Sequence, residues 1–146
     1  MRNKVLLIVE DDADVRLGYQ ILLKTHHYDT VFAADALAAH REGLKHKPDL
    51  MLLDLGLPGG DGFLLLERFR ANMNLAQIPV IVVSARNRNG NEERSLDLGA
   101  RAFVHKPFSN HELLALIGET LGDTPARERE AVSAPHLLTG RQRLKH

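Results

Sequence analysis

The stretch Val5-Leu6-Leu7-Ile8-Val9-Glu10-Asp11-Asp12 decides the fold. Five strongly apolar residues with no polar alternation suit a strand buried on both faces, as in a parallel sheet. The run then breaks abruptly into three acids. Three more continuous runs share the pattern, at 50–53, 80–83 and 102–104, and a weaker one, Thr-Val-Phe-Ala-Ala, lies at 30–34. Helical patterns separate them. After Asp12, residues Val15, Tyr19, Leu22 and Leu23 fall on one face of a helix. Further helices are expected over 36–45, before Pro48, over 63–71, over 92–98 with Gly99 as a stop, and over 111–121 with Ser109 or Asn110 as the N-cap and Gly122 beyond the end. Strand and helix alternate five times, which predicts an α/β fold built on a five-stranded parallel sheet with doubly wound βα units.

The whole chain has 146 residues, enough for one domain with its own core. It carries 19 basic and 19 acidic side chains, and this balance argues against a dedicated nucleic-acid or acidic-membrane binder. The absence of cysteine rules out disulfides, thiol nucleophiles and Cys-ligated zinc. No apolar run approaches the roughly 20 residues of a membrane-spanning helix, and the first residues do not read as a signal peptide, so a cytoplasmic location is expected. The pattern fades after Gly122. Residues 1–122 hold 14 basic and 16 acidic side chains, against five and three in 123–146. We therefore expect a patterned domain over 1–122 and a charged tail or linker over 123–146, disordered or a short helix.

In open parallel sheets, ligands bind beyond the carboxyl ends of the strands. The residues at those ends are Glu10, Asp11 and Asp12, then Asp54, Ser84, and His105 with Lys106. Crowded carboxylates repel, and a hard cation such as Mg²⁺ with oxygen ligands relieves them. An acidic pair after a strand also serves as a solvated loop or helix N-cap, and a lone Ser or Lys there means little; the combination carries the signal. Lys106 is a compact charge suited to a phosphate or acyl phosphate, and Ser84 offers one more donor. Asp54 then has two roles open to it, metal ligand or nucleophile forming an aspartyl phosphate.

These residues bring a family into view. The chain resembles the receiver domain of two-component response regulators, through residues 5–12, through Leu52-Leu53-Asp54-Leu55-Gly56-Leu57-Pro58-Gly59-Gly60-Asp61-Gly62, through Val82-Val83-Ser84-Ala85 and through Val104-His105-Lys106-Pro107-Phe108. Ser84 and Lys106 follow Asp54 by 30 and 52 residues, the family's usual intervals. The resemblance implies a chemotaxis-regulator-like, flavodoxin-like strand order 2-1-3-4-5. It implies that Asp54 accepts a phosphoryl group from a histidine kinase or phosphotransfer protein. It also implies that Glu10, Asp11, Asp54 and the Gly56 backbone carbonyl hold Mg²⁺ (or Mn²⁺), Glu10 through a water. Ser84 and Lys106 are then the partners of the phosphoryl oxygens, Ser84 and Phe103 the switch pair, and Lys106–Pro107 a cis peptide that aims Lys106 into the site. The fourth helix, fifth strand and fifth helix form the switched protein-binding surface. No enzymatic activity is expected beyond the chain's own phosphorylation and dephosphorylation. The implied partners are the kinase and either a downstream protein or an output domain not in this chain, with no direct nucleic-acid or membrane binding.

Some positions depart from the family's common pattern. Arg101-Ala102 stands where many transcriptional regulators carry an acidic pair used between subunits, so at most a weak homodimer is expected. Gly56 and Arg86 occupy the two positions that commonly tune phosphoryl lifetime. Gly59-Gly60-Asp61-Gly62-Phe63 has a superficial likeness to a diguanylate cyclase turn but has Gly62 in place of the glutamate; Asp61 reads better as an N-cap. The eight histidines are scattered and show no metal-ligand spacing. The alternative is a pseudo-receiver that binds protein without phosphorylation, although such modules usually lose one of the acids or the lysine. A small Mg²⁺-dependent phosphatase with an aspartyl nucleophile fits less well, since Gly56 stands where its second aspartate belongs.

Overall fold

The computed structural model describes residues 2–57, 61–85 and 90–122. The expectations placed on Pro58, Gly59, Gly60, Arg86 and the tail 123–146 lie outside the described residues, as does the side chain of Asp61. Five strands, β1 (Val5–Val9), β2 (Asp29–Ala33), β3 (Leu50–Asp54), β4 (Val80–Ser84) and β5 (Ala102–His105), alternate with five helices. The helices are α1 (Ala13–Thr25), α2 (Ala36–His46), α3 (Asp61–Ala71), α4 (Asn91–Asp97) and α5 (Asn110–Leu121). All strand pairs are parallel and the order is β2-β1-β3-β4-β5.

The unbroken apolar runs follow from helices covering both faces of the sheet. Leu7, Val9, Met51, Leu53, Val80, Val82 and Phe103 face one core, shared with Ala39, Leu66 and Phe69. Leu6, Ile8, Leu50, Leu52, Ile81, Val83 and Val104 face the other, shared with Tyr19, Leu23, Leu113 and Ile117. Successive residues of one strand thus serve opposite cores, and neither set has room for a polar side chain. β2 lies at the sheet edge and is only partly buried, which explains its weaker run.

Helix starts are fixed by side-chain caps. Asp12 accepts from the amides of Asp14 and Val15 at 2.8 and 3.2 Å, Asp35 from Ala38 at 2.8 Å, and Ser109 from Glu112 at 2.9 Å. Gly122 closes α5 with φ 70°, a backbone that favours glycine. α3 begins at Asp61, two residues before the periodic stretch 63–71. In α1 only Tyr19 and Leu23 of the expected face are buried. Leu22 is partly buried against the same core, and the exposed Val15 lines a groove with Leu22, Pro107 and Phe108.

Gly62 packs against the loop that follows β3. A Cβ there would lie 2.9 Å from Leu55 Cδ2 and 3.2 Å from its Cα. Gly62→Ala is therefore expected to lower unfolding stability by about 1–3 kcal/mol, the usual cost of overpacking. Chemical denaturation checks this, and wild-type stability in the variant would contradict it.

Candidate functional site

The strand order reverses its winding direction between β1 and β3, and a crevice opens at their carboxyl ends. Glu10 and Asp11 leave β1 there, and Asp54 ends β3. Carboxylate oxygens of Glu10, Asp11 and Asp54 all lie within 4.8 Å of one another. β4 brings Ser84 to the same rim and β5 brings Lys106 just past its end. Asp12 is drawn away, because its carboxylate is used to cap α1. The three consecutive acids thus divide into a buried one, an exposed one and a cap.

Asp54 is held from two sides. Lys106 Nζ donates to its Oδ2 at 3.1 Å and the Gly56 amide donates to its Oδ1 at 2.7 Å. Lys106 Nζ also stands 3.7 Å from Glu10 Oε1. Glu10 Oε2 accepts from the Asp12 amide at 3.1 Å, whereas the buried Oε1 has no hydrogen-bond partner. Arg16, which no sequence pattern singles out, donates to the Glu10 backbone carbonyl at 2.7 Å and anchors the turn out of β1 to α1. The Lys106 amide bonds the Ser84 carbonyl at 2.9 Å, tying the two strand ends together. The Lys106–Pro107 peptide is cis, as expected. Ser84 and Phe103 are both 2% exposed. Phe103 is already part of the core in this structure.

Electrostatics follow from this crowding. Burial, together with hydrogen bonding to Asp54, pushes the Glu10 carboxyl up to about 7. Burial also works against charge on Asp54, but the bond with Glu10, the Gly56 amide and Lys106 outweigh it and hold Asp54 below its usual range. A raised acid holds its proton more tightly when folded, so its penalty grows as pH rises from the unfolded value of 4.5 to about 7 and is complete above that. Asp54 acts in the opposite sense, supplying stability that is lost only as pH falls below 3.8. Chelator-treated protein is therefore expected to lose thermal stability between pH 4.5 and about 7, and Glu10→Gln to flatten that limb. The same slope in wild type and variant would contradict the assignment.

The family model described as the response regulator receiver domain matches residues 6–118. The phosphate regulon transcriptional regulatory protein PhoB of Pseudomonas aeruginosa is 34% identical over 131 residues, 90% of this chain and 57% of that protein. The transcriptional regulatory protein KdpE of Staphylococcus aureus is 38% identical over 117 residues, 80% of this chain and 49% of that protein. The chain thus spans about half the length of the curated relatives it matches. Among solved structures, the BeF3-activated N-terminal receiver domain of Klebsiella pneumoniae RstA superposes with a TM-score of 0.75 at 30% identity, covering 81% of this chain and 98% of that one. The receiver domain of the P. aeruginosa sensor histidine kinase PA1611, with a magnesium ion in its active-site cleft, gives 0.75 at 28% identity, covering 82% and 98%. Sequence, strand order and these matches agree, and the chain belongs to the response regulator receiver domain family.

Proposed function

We propose that Asp54 accepts a phosphoryl group from a phosphohistidine of a sensor histidine kinase or phosphotransfer protein, in a Mg²⁺-dependent reaction that switches a protein-binding surface. The observation that carries this reading is the Asp54 carboxylate itself. It is ionised, partly buried and aimed by Lys106 and the Gly56 amide beside two further acids. A purely structural acid has no need of that company.

The donor set fits a divalent cation. Three carboxylates converge, and Glu10 keeps a buried oxygen with no hydrogen-bond partner. Glu10, Asp11, Asp54 and the Gly56 carbonyl would hold the ion, with Mg²⁺ or Mn²⁺ suited to such hard oxygen ligands. When bound, the ion supplies positive charge to the phosphoryl oxygens and to the crowded acids.

An Asp54 oxygen attacks phosphorus in line as the phosphorus–nitrogen bond of the donor breaks. The imidazole leaves with the electron pair and takes up a proton. Lys106 passes from the Asp54 carboxylate to a phosphoryl oxygen, and the Ser84 hydroxyl turns to another. The added charge draws Ser84 towards the site and favours Phe103 packed inward, so α4, β5 and α5 present a changed face. The donor protein would rest on the apolar groove of about 880 Å³ that Val15, Ile21, Leu22, Pro107 and Phe108 form beside Lys106.

On this reading residues 1–122 are the receiver domain and 123–146 a linker or docking segment. The output is a downstream protein or a further domain, reached without direct nucleic-acid contact by this chain. Among the described residues no helix is long and apolar enough to cross a membrane, and we place the protein in the cytoplasm.

Incubation with Mg²⁺ and acetyl phosphate is expected to add the mass of one phosphoryl group, and Asp54→Asn to abolish the gain. No gain in wild type, or an unchanged gain in the variant, sinks the phospho-acceptor role. Mg²⁺ at ten times its Kd should also raise unfolding stability by about 1.4 kcal/mol, an effect lost in Asp11→Asn. Ser84→Ala should accept phosphate yet lose at least fivefold of the phosphorylation-dependent gain in partner affinity, a typical coupling. Equal gains in both proteins would count against Ser84 as the relay.

A further inference from the structure

One buried acid has no part in the chemistry above. Glu92 lies in the first turn of α4, and its residue is 9% exposed. Its Oε1 is 3.1 Å from His105 Nε2, while its Oε2 is buried with no hydrogen-bond partner. His105 ends β5, pairs in register with Ser84 of β4 and immediately precedes Lys106. Its ring meets Phe103 edge-on, with centroids 4.9 Å apart and planes at 62°. The Glu92–His105 contact therefore spans α4 and β5 directly beside the buried Phe103. Two nearby cations are engaged elsewhere: Arg94 stacks on Phe63 of α3 at 4.0 Å, and Lys106 bonds Asp54.

α4 has little else of its own to hold its start. It is seven residues long, begins after Gly90 at φ 74° and has no side-chain cap. A carboxylate buried to this degree is costly unless paired, so separating α4 from His105 strands a charge. In this structure the contact is closed, and opening it without stranding the charge requires Glu92 to be carried out to water.

We propose that Glu92 and His105 form a clasp that locks α4 onto β5 while Phe103 is inward, and so regulates the phosphoryl site through the Phe103 switch. This rests on the function proposed above. Since the closed clasp and the inward Phe103 occur together here, the clasp belongs to the arrangement that the phosphoryl group favours. By linkage, opening it weakens the binding of a phosphoryl analogue.

The test uses the full chain with Mg²⁺ and beryllofluoride, comparing wild type, His105→Phe, Glu92→Gln and the double variant. His105→Phe, which strands the Glu92 charge, is expected to speed hydrogen exchange at the Arg94 amide of α4 and the Leu98 amide that caps it, and to weaken beryllofluoride binding about tenfold. Adding Glu92→Gln, which removes the stranded charge, should recover most of both losses. Additive losses in the double variant overturn the clasp. Faster exchange with unchanged beryllofluoride affinity shows the contact closed in both states and overturns its regulatory role. No beryllofluoride binding by wild type overturns the phospho-acceptor reading and the regulatory role together. The exchange data then still separate that failure from a failure of the α4 tether.

Discussion

Three carboxylates held within 4.8 Å of one another against a single ammonium are the constraint on which the rest of this molecule depends. Such a cluster does not assemble spontaneously, because each acid added raises the cost of ionising the next. Backbone that is rigid for other reasons must impose it. The parallel sheet does so: β1 and β3 are adjacent, buried on both faces and in fixed register, so Glu10 and Asp54 are delivered to one rim with the exposed Asp11 beside them. Glu10 records the strain in its raised pKa and its unpartnered oxygen. Lys106 relieves part of it, and a divalent cation held as proposed above would relieve more.

The supporting parts make sense in that light. Arg16 and the Asp12 amide fix the turn that carries Glu10 and Asp11, and Asp12 spends its own carboxylate on α1. Gly56 brings its amide to 2.7 Å from Asp54, and a Cβ at that position would press on the same oxygen at 3.2 Å. Ser84 and Lys106 are joined through the backbone, so charge arriving at the rim is felt at the end of β5. There His105 and Phe103 lie side by side, and α4 is attached through Glu92.

Much of this was legible in the sequence because burial on both faces leaves a plain mark. Unbroken apolar runs located β1, β3, β4 and β5 to within a residue. β2 was weaker because most of its residues are only partly buried, unlike those of β5 at the other edge; it starts at Asp29, where pairing with Val5 sets its register. The rim residues could be read from their places at strand ends, and the spacing from Asp54 to Ser84 and Lys106 supplied the family. Contacts between distant elements left no such mark. Nothing in the periodicity says that Val15 lines a groove instead of a core, or that Glu92 is buried against a histidine 13 residues away on another element. Arg16 was equally silent, since its target is a backbone carbonyl, which any residue would provide.

The central claim is that phosphorus becomes bonded to one oxygen of one aspartate. Borohydride reduces an acyl phosphate to the alcohol and leaves ordinary carboxylates untouched, so it converts the modified aspartate into homoserine. After treatment with Mg²⁺ and acetyl phosphate, then borohydride, peptide sequencing should find homoserine at position 54 and at no other acid. Homoserine at Asp11 or Asp12 in place of Asp54, 5-hydroxynorvaline at Glu10, or neither alcohol from protein that had gained phosphate, would contradict the account.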